Sequence, residues 1–307
     1  MTVGVALNPT DPANQIDASV QLAKEAAAAG LRSVWFGQTF GADSPQLAAI
    51  AGREVPGLHV GTSAIPVFGR HPLVVSSQAQ TAQAATHGRY HLGLALGTKL
   101  LTEGGFGIPF ERPIARLREF LTALRQLTET GSADFHGELL TATTPVPARV
   151  PGAESGVPLL VAAMGPQALR VSGELADGIL PYIAGPRALA EHIVPAVTAA
   201  AEAAGRPAPR VVALVNGVVT DDVDAVRAKV AENLKFYEQV PSYARAIALS
   251  GGQRAVDVAV IGDEKAVAAE VQRYRDAGAT EVVFAGTEVA GDADRRRTWE
   301  LLGTLAG

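Results

Sequence analysis

Six histidines, no cysteine and no paired carboxylates at key turns limit the chemistry open to this 307-residue chain. Without a thiol there is no disulfide, thiolate metal site, iron–sulfur cluster or cysteine nucleophile. His87 and His91 have the spacing of two ligands on one helical face, but Gly88 and the strand pattern after it break that face. No metal site is therefore read. His59 falls inside a β-rich run and reads as packed or exposed; His136 and His192 read as surface residues. Arg70-His71-Pro72 stands at a strand-to-helix turn, where the pair either caps the helix or meets a ligand.

The elements that position these residues alternate along the chain. Strand-like runs are Thr2–Leu7 (closed by Asn8-Pro9), Ser33–Phe36, Leu58–Ile65, Tyr90–Leu96, Leu159–Ala162, Gly178–Tyr182, Val211–Val219 and Glu281–Ala285. Helical patterns fall between them: Ile16 to Ala29 ended by Gly30, His71-Pro72 to Thr86, Pro113–Thr130, Gln167–Leu175, Arg187–Ala204, Val223–Glu238 and Lys265–Ala277. Val256–Ile261 reads as a short extra strand or an extended loop. Eight βα units predict a (β/α)8 barrel, with a doubly wound sheet as the rival. The barrel is favoured because Ala29-Gly30 before Val34-Trp35-Phe36 is echoed by Ala277-Gly278 before Val282-Val283-Phe284. The Pro- and Thr-rich stretch 132–155 breaks the rhythm and reads as an insertion, either a lid or an exposed excursion.

In such a barrel the reactive groups stand where strands end and helices begin. Those positions are Asn8, Gly37-Gln38-Thr39, Ser63 to Pro66, Gly97-Thr98-Lys99, Met164-Gly165, Tyr182-Ile183, Asn216-Gly217 and Ala285-Gly286. No carboxylate pair and no histidine is among them, which argues against acid–base hydrolysis. Small, neutral and apolar groups suit a flat cofactor that brings its own reactivity. Gly165-Pro166 opens a helix whose free N–H groups can hold an anion. Gly93 and Gly97 either admit a ring close to the backbone or ease barrel packing.

Composition narrows the partners. The chain is 48% hydrophobic and 19% charged with a net charge of −5, and it lacks a basic block, so neither nucleic acid nor a membrane surface is expected. No signal-peptide pattern and no membrane-spanning run is read, which predicts a cytoplasmic protein.

Short segments in a fixed order resemble the luciferase-like monooxygenase superfamily, in its coenzyme F420-dependent (deazaflavin) oxidoreductase branch. They are GLRSVWFG at 30–37, Arg70-His71-Pro72, GRYHLGLALG at 88–97, FERP at 110–113 with RLREFL at 116–121, VAAMGP at 161–166, and ELADG at 174–178. The resemblance covers nearly the whole chain and implies one barrel domain over 1–307, with 132–155 inserted after the fourth strand. It implies a non-prolyl cis peptide at Ser63–Ala64 beside the ring, with Ile65 nearby. It also places the cofactor phosphate on Met164, Gly165, Gln167 and Ala168, and the ring edge near Gln38 and Thr39; Ser63, Ala64, Ile65 and Gly97 complete the expected cofactor contacts. Sugar-phosphate dehydrogenases of the family carry an acid and a histidine where this chain has Gln38 and Thr39, and a glutamate where it has Thr98. That alcohol-oxidising chemistry is not carried over.

The expectation is a reductase that passes a hydride from F420 to a small molecule, with Thr39, Thr98 or Tyr182 as candidate catalytic groups. The alternatives are an FMN-dependent monooxygenase using dioxygen and a non-catalytic barrel acting as a binding subunit. A phosphate-binding lyase or isomerase fits less well, because the strand ends lack its carboxylate. A homodimer is the assembly the resemblance suggests.

Overall fold

Eight parallel strands close into a ring in the computed structural model, which describes residues 2–8 and 13–306. The first strand, Thr2–Leu7, pairs with Ser33–Phe36 on one side and Glu281–Ala285 on the other. Between them run His59–Thr62, Tyr90–Ala95, Leu159–Ala162, Gly178–Ile179 and Arg210–Val219, the last pairing back onto Glu281–Ala285. Each strand expected from the sequence is present, and the barrel prevails over the doubly wound sheet. Pro9, read as closing the first strand, lies outside the described residues.

Two strands differ in length from the reading by more than one residue. The third ends at Thr62; the Ser63–Ala64 bond is cis, and pairing resumes at Ile65-Pro66 against Leu94 and Ala95. The sixth is only Gly178–Ile179, extended by an isolated bridge between Tyr182 and Leu214. Val256–Ile261 resolves into a 3₁₀ turn, Ala255–Val258, and a short strand, Val260–Gly262, paired with the end of Arg210–Val219.

The interior of the ring is filled by Trp35, Leu160, Leu180, Val212, Leu214 and Val283. A larger apolar layer lies between the strands and the surrounding helices. The repeat seen in the sequence is structural: Gly30 (φ +90°) and Gly278 (φ +95°) both end helices in the left-handed conformation. Each is followed by the same reach-back bond, Leu31 N–H to Ala26 C=O at 3.1 Å and Ala279 N–H to Tyr274 C=O at 3.0 Å. Four helices escaped the sequence reading: Ser44–Glu54, Lys99–Phe106, Pro241–Leu249 and Asp292–Thr304. No helix among the described residues is long and apolar enough to cross a membrane.

Within 132–155 an antiparallel hairpin forms from Asp134–His136 and Thr141–Thr143. The amides of Glu138, Leu139 and Leu140 converge on the Glu119 carboxylate at 3.1, 2.9 and 3.1 Å. Gln80 holds both Ala148 C=O and Val150 N–H, at 3.0 Å each. The segment is thereby fastened to the helices Pro72–Ala85 and Pro113–Thr130.

Candidate cofactor and substrate site

At the C-terminal ends of the strands the barrel filling gives way to small side chains. Ala6, Ala64 and Ala162 pack, partly exposed, on the interior cluster together with Tyr182. Two residues singled out from the sequence, Ala64 and Tyr182, thus share one surface. Ile65 has no exposed surface and belongs to the main core, so its side chain is screened from any ligand. Gly93 is walled in: a Cβ there would meet the Thr62 carbonyl oxygen at 1.9 Å and Leu180 at 2.5 Å. Of its two readings, barrel packing is the one the structure holds. Gly97 is exposed with φ +77°. Thr98 caps the helix Lys99–Phe106, its hydroxyl accepting from Leu101 N–H at 3.3 Å.

The loop after the second strand is self-contained. Gln38 Oε1 accepts from Ser44 N–H (3.0 Å), Ser44 Oγ (2.8 Å) and Arg70 (3.1 Å), while its Nε2 donates to the Thr39 and Ala42 carbonyls. Arg70 also pairs with Asp43 at 3.2 Å and donates to Gln78 at 3.2 Å. His71 Nδ1 accepts from Leu73 N–H at 3.3 Å as a helix cap, and Nε2 faces the Thr141 carbonyl at 2.9 Å. Arg70 and His71 are therefore occupied in building the turn. Thr39 itself stands exposed.

Met164, Gly165, Gln167 and Ala168 fall in one turn, at the start of the helix Pro166–Leu175. Gly165 is the cap residue and supplies no side chain, so the first amides of the helix lack a side-chain partner. A Cβ at Gly165 would meet nothing within 4 Å, so the space in front of those amides is open. Gln167 is exposed and Ala168 buried.

Across the mouth, Tyr182 is enclosed by aromatic rings, with Tyr237 at 5.3 Å and Tyr243 at 5.9 Å, both edge to face. Its hydroxyl lies 3.0 Å from Asn216 Nδ2 and 3.3 Å from Oδ1, and it is hydrogen-bonded to Tyr237. Burial, reinforced by Tyr237, pushes the Tyr182 phenol well above its ordinary value, so it stays protonated. Sequence reasoning missed Tyr237 and Tyr243; the first lies at the end of the run read as helix to Glu238 and the second in the unassigned stretch after it, and only their recurrence six residues apart hinted at a cluster.

The rim is apolar. Phe40 (69% exposed) and Phe106 (45%) meet ring to ring at 5.8 Å, and Leu100 and Leu101 stand exposed on the same helix as Phe106. The charges on that helix, Lys99 and Glu103, pair with each other at 3.9 Å. This rim is a second feature that the sequence left unread.

Comparison with known proteins follows the same lines. The model of the luciferase-like monooxygenase family matches residues 1–281. The F420-dependent glucose-6-phosphate dehydrogenase of Rhodococcus erythropolis is 29% identical over 271 residues, 81% of this chain and 78% of that one. A Mycobacterium tuberculosis protein is 27% identical over 185 residues, 54% of this chain, and the match spans about half of it, 51%. The solved coenzyme F420-dependent tetrahydromethanopterin reductase of Methanopyrus kandleri superposes with a TM-score of 0.80 at 23% identity, covering 98% and 97% of the two chains. That last likeness establishes the shared fold. The resemblance read from the sequence is thus met, and the chain belongs to the luciferase-like monooxygenase family.

Proposed function

We propose that this protein is an F420-dependent oxidoreductase that works as a reductase on a neutral, apolar substrate. The observation that carries the reading is the pairing, at one end of the barrel, of a floor of small side chains with an open, uncapped helix start. Ala6, Ala64 and Ala162 suit a flat ring, and the amides beyond Gly165 suit a phosphate. The deazaflavin, when bound, supplies the hydride chemistry that the chain's own side chains lack.

The protein's share of the work is placement and a proton. Gln38, fixed by Arg70 and Ser44, holds the loop that carries Thr39 beside the ring edge. Tyr182, kept protonated and aligned by Asn216, supplies the proton. Thr98 is committed to its helix cap, which leaves Tyr182 as the better of the strand-end candidates. The uncharged rim of Phe40, Leu100, Leu101 and Phe106 favours an apolar C=C, C=N or C=O acceptor over a sugar phosphate. The reading takes the chain as one barrel domain with 132–155 inserted in it, assembled as a homodimer in the cytoplasm.

Fluorescence quenching with F420 and with FMN, titrated separately into the purified protein, tests this. Saturable binding of F420 with little affinity for FMN is expected. The reverse order would replace the reductase with an FMN-dependent monooxygenase, and binding without turnover on any acceptor would leave a binding subunit.

A further inference from the structure

At the end of the barrel opposite the proposed site, the first residues of several strands surround a cavity of about 190 Å³. Arg32, Ser33, His59, His91, Arg210 and Glu281 line it. Arg210 Nη1 lies 3.1 Å from His91 Nδ1, and its Nη2 lies 3.1 Å from Glu281 Oε2. A guanidinium only donates, so His91 Nδ1 accepts and the His91 proton sits on Nε2. That Nε2 lies 3.1 Å from His59 Nδ1, which therefore accepts in turn and leaves the His59 proton on its own Nε2. The relay Arg210 to His91 to His59 thus ends in an N–H donor.

His59 is exposed, and no protein group among the described residues accepts from that N–H, so it is open to a ligand. Both oxygens of Glu281 are already in use: Oε1 accepts from the Ser33 hydroxyl and from Trp35 Nε1 (3.1 Å), and Oε2 accepts from Arg210. Arg32, exposed on the cavity, has no ion-pair partner among the described residues. Arg89 spends its guanidinium on the carbonyls of Gly52, Val55 and Leu58, and with Arg210 it sets positive charge beside His59 against the single carboxylate of Glu281. One carboxylate is therefore set among three arginines and an exposed imidazole N–H. Tying the strands together uses Arg210, His91 and Glu281, and it leaves the exposed donors of His59 and Arg32 free on the same cavity to meet a ligand.

We infer that this cavity is a binding site for a phosphate group, held between His59 Nε2–H and Arg32. A tetrahedral oxyanion brings the acceptors and the negative charge that the site lacks. A metal cation is disfavoured there, because both imidazoles present N–H groups and the surrounding charge is positive. The inference rests on the N-terminal end of the barrel alone and does not depend on which cofactor the other end takes.

Long-range 1H–15N spectra of the imidazoles in the whole protein, purified without phosphate, test it. Inorganic phosphate is expected to shift the His59 signals saturably, while sodium chloride at equal ionic strength leaves them in place. Arg32→Gln should weaken that saturation roughly tenfold, the worth of one charge-assisted hydrogen bond. Because Arg32 is exposed, unchanged His91 signals will confirm that the variant keeps its fold. Glycerol 3-phosphate, titrated in parallel, distinguishes a phosphate ester from the free ion as the group bound. An equal response to chloride, no saturable shift at millimolar phosphate, or unaltered binding by Arg32→Gln would overturn the site.

Discussion

The hydroxyl of Thr62 grips the backbone of Gly93 from both sides, donating to its carbonyl and accepting from its amide, each at 2.9 Å. The third and fourth strands are clasped there at a point where a Cβ on residue 93 would overlap the Thr62 carbonyl. Gly93→Ala is expected to cost upwards of about 3 kcal/mol, since backbone rather than a flexible side chain must yield. Thr62→Val should cost about 2 kcal/mol through the lost hydroxyl. Urea unfolding of each variant measures both, and a Gly93→Ala midpoint equal to wild type would refute the clasp.

Gly165→Asp separates binding from stability. The backbone at Gly165 is extended (φ −81°, ψ 149°), and aspartate is a favoured cap in that conformation. Stability is therefore expected to stay within about 0.5 kcal/mol of wild type. A carboxylate in front of the amides should nevertheless weaken F420 binding at least roughly tenfold by repelling its phosphate. Fluorescence titration reads this directly, and an unchanged Kd would move the phosphate elsewhere.

Tyr182→Phe retains the ring packing against Tyr237 and Tyr243 but removes the proton. With cyclohexenone as acceptor, kcat is expected to fall about 10²-fold while F420 affinity is unchanged. Steady-state kinetics beside a binding titration separates the two, and an unaltered kcat would exclude the phenol as donor.

His91 makes stability depend on pH. Burial first, then Arg210 and His59, pull its pKa from 6.5 down to about 3. A histidine held neutral in the fold contributes fully above pH 6.5, where the unfolded chain is also neutral. That contribution drains away as pH falls from 6.5 toward about 3, because only the unfolded chain then takes up the proton readily. The loss should be on the order of 1 kcal/mol per pH unit across that window. Urea unfolding of wild type and His91→Gln at several pH values between 4.5 and 8 tests this; identical slopes would rule it out.

Much of the barrel was legible because each strand is an apolar run bounded by glycine, proline or a helix cap. The missed helices show where that signal fails. Lys99–Phe106 carries Gly104 and Gly105, which read as loop, and it forms because Thr98 caps one end and Gly107 (φ +65°) closes the other. At backbone level the structure holds the cis Ser63–Ala64 bond that the family resemblance implied and the helix start at Gly165 that the sequence marked. Side-chain partnerships were not. His59 and His91 stand 32 residues apart, and only the register between the third and fourth strands brings them to 3.1 Å. Tyr182 meets Asn216 and Tyr237 for the same reason, through loops whose paths the sequence does not specify.

Ring closure also bears on how the chain is made. Thr2–Leu7 leaves the ribosome long before Glu281–Ala285, yet one of its edges waits for that strand. Ser33 and Trp35 likewise wait for the Glu281 carboxylate, nearly 250 residues downstream (248 from Ser33). For most of translation the nascent barrel is an open sheet with a bare strand edge, the form most exposed to pairing with a neighbouring chain. Demand for a chaperone should therefore end with synthesis of the last strand, when the final edge is covered.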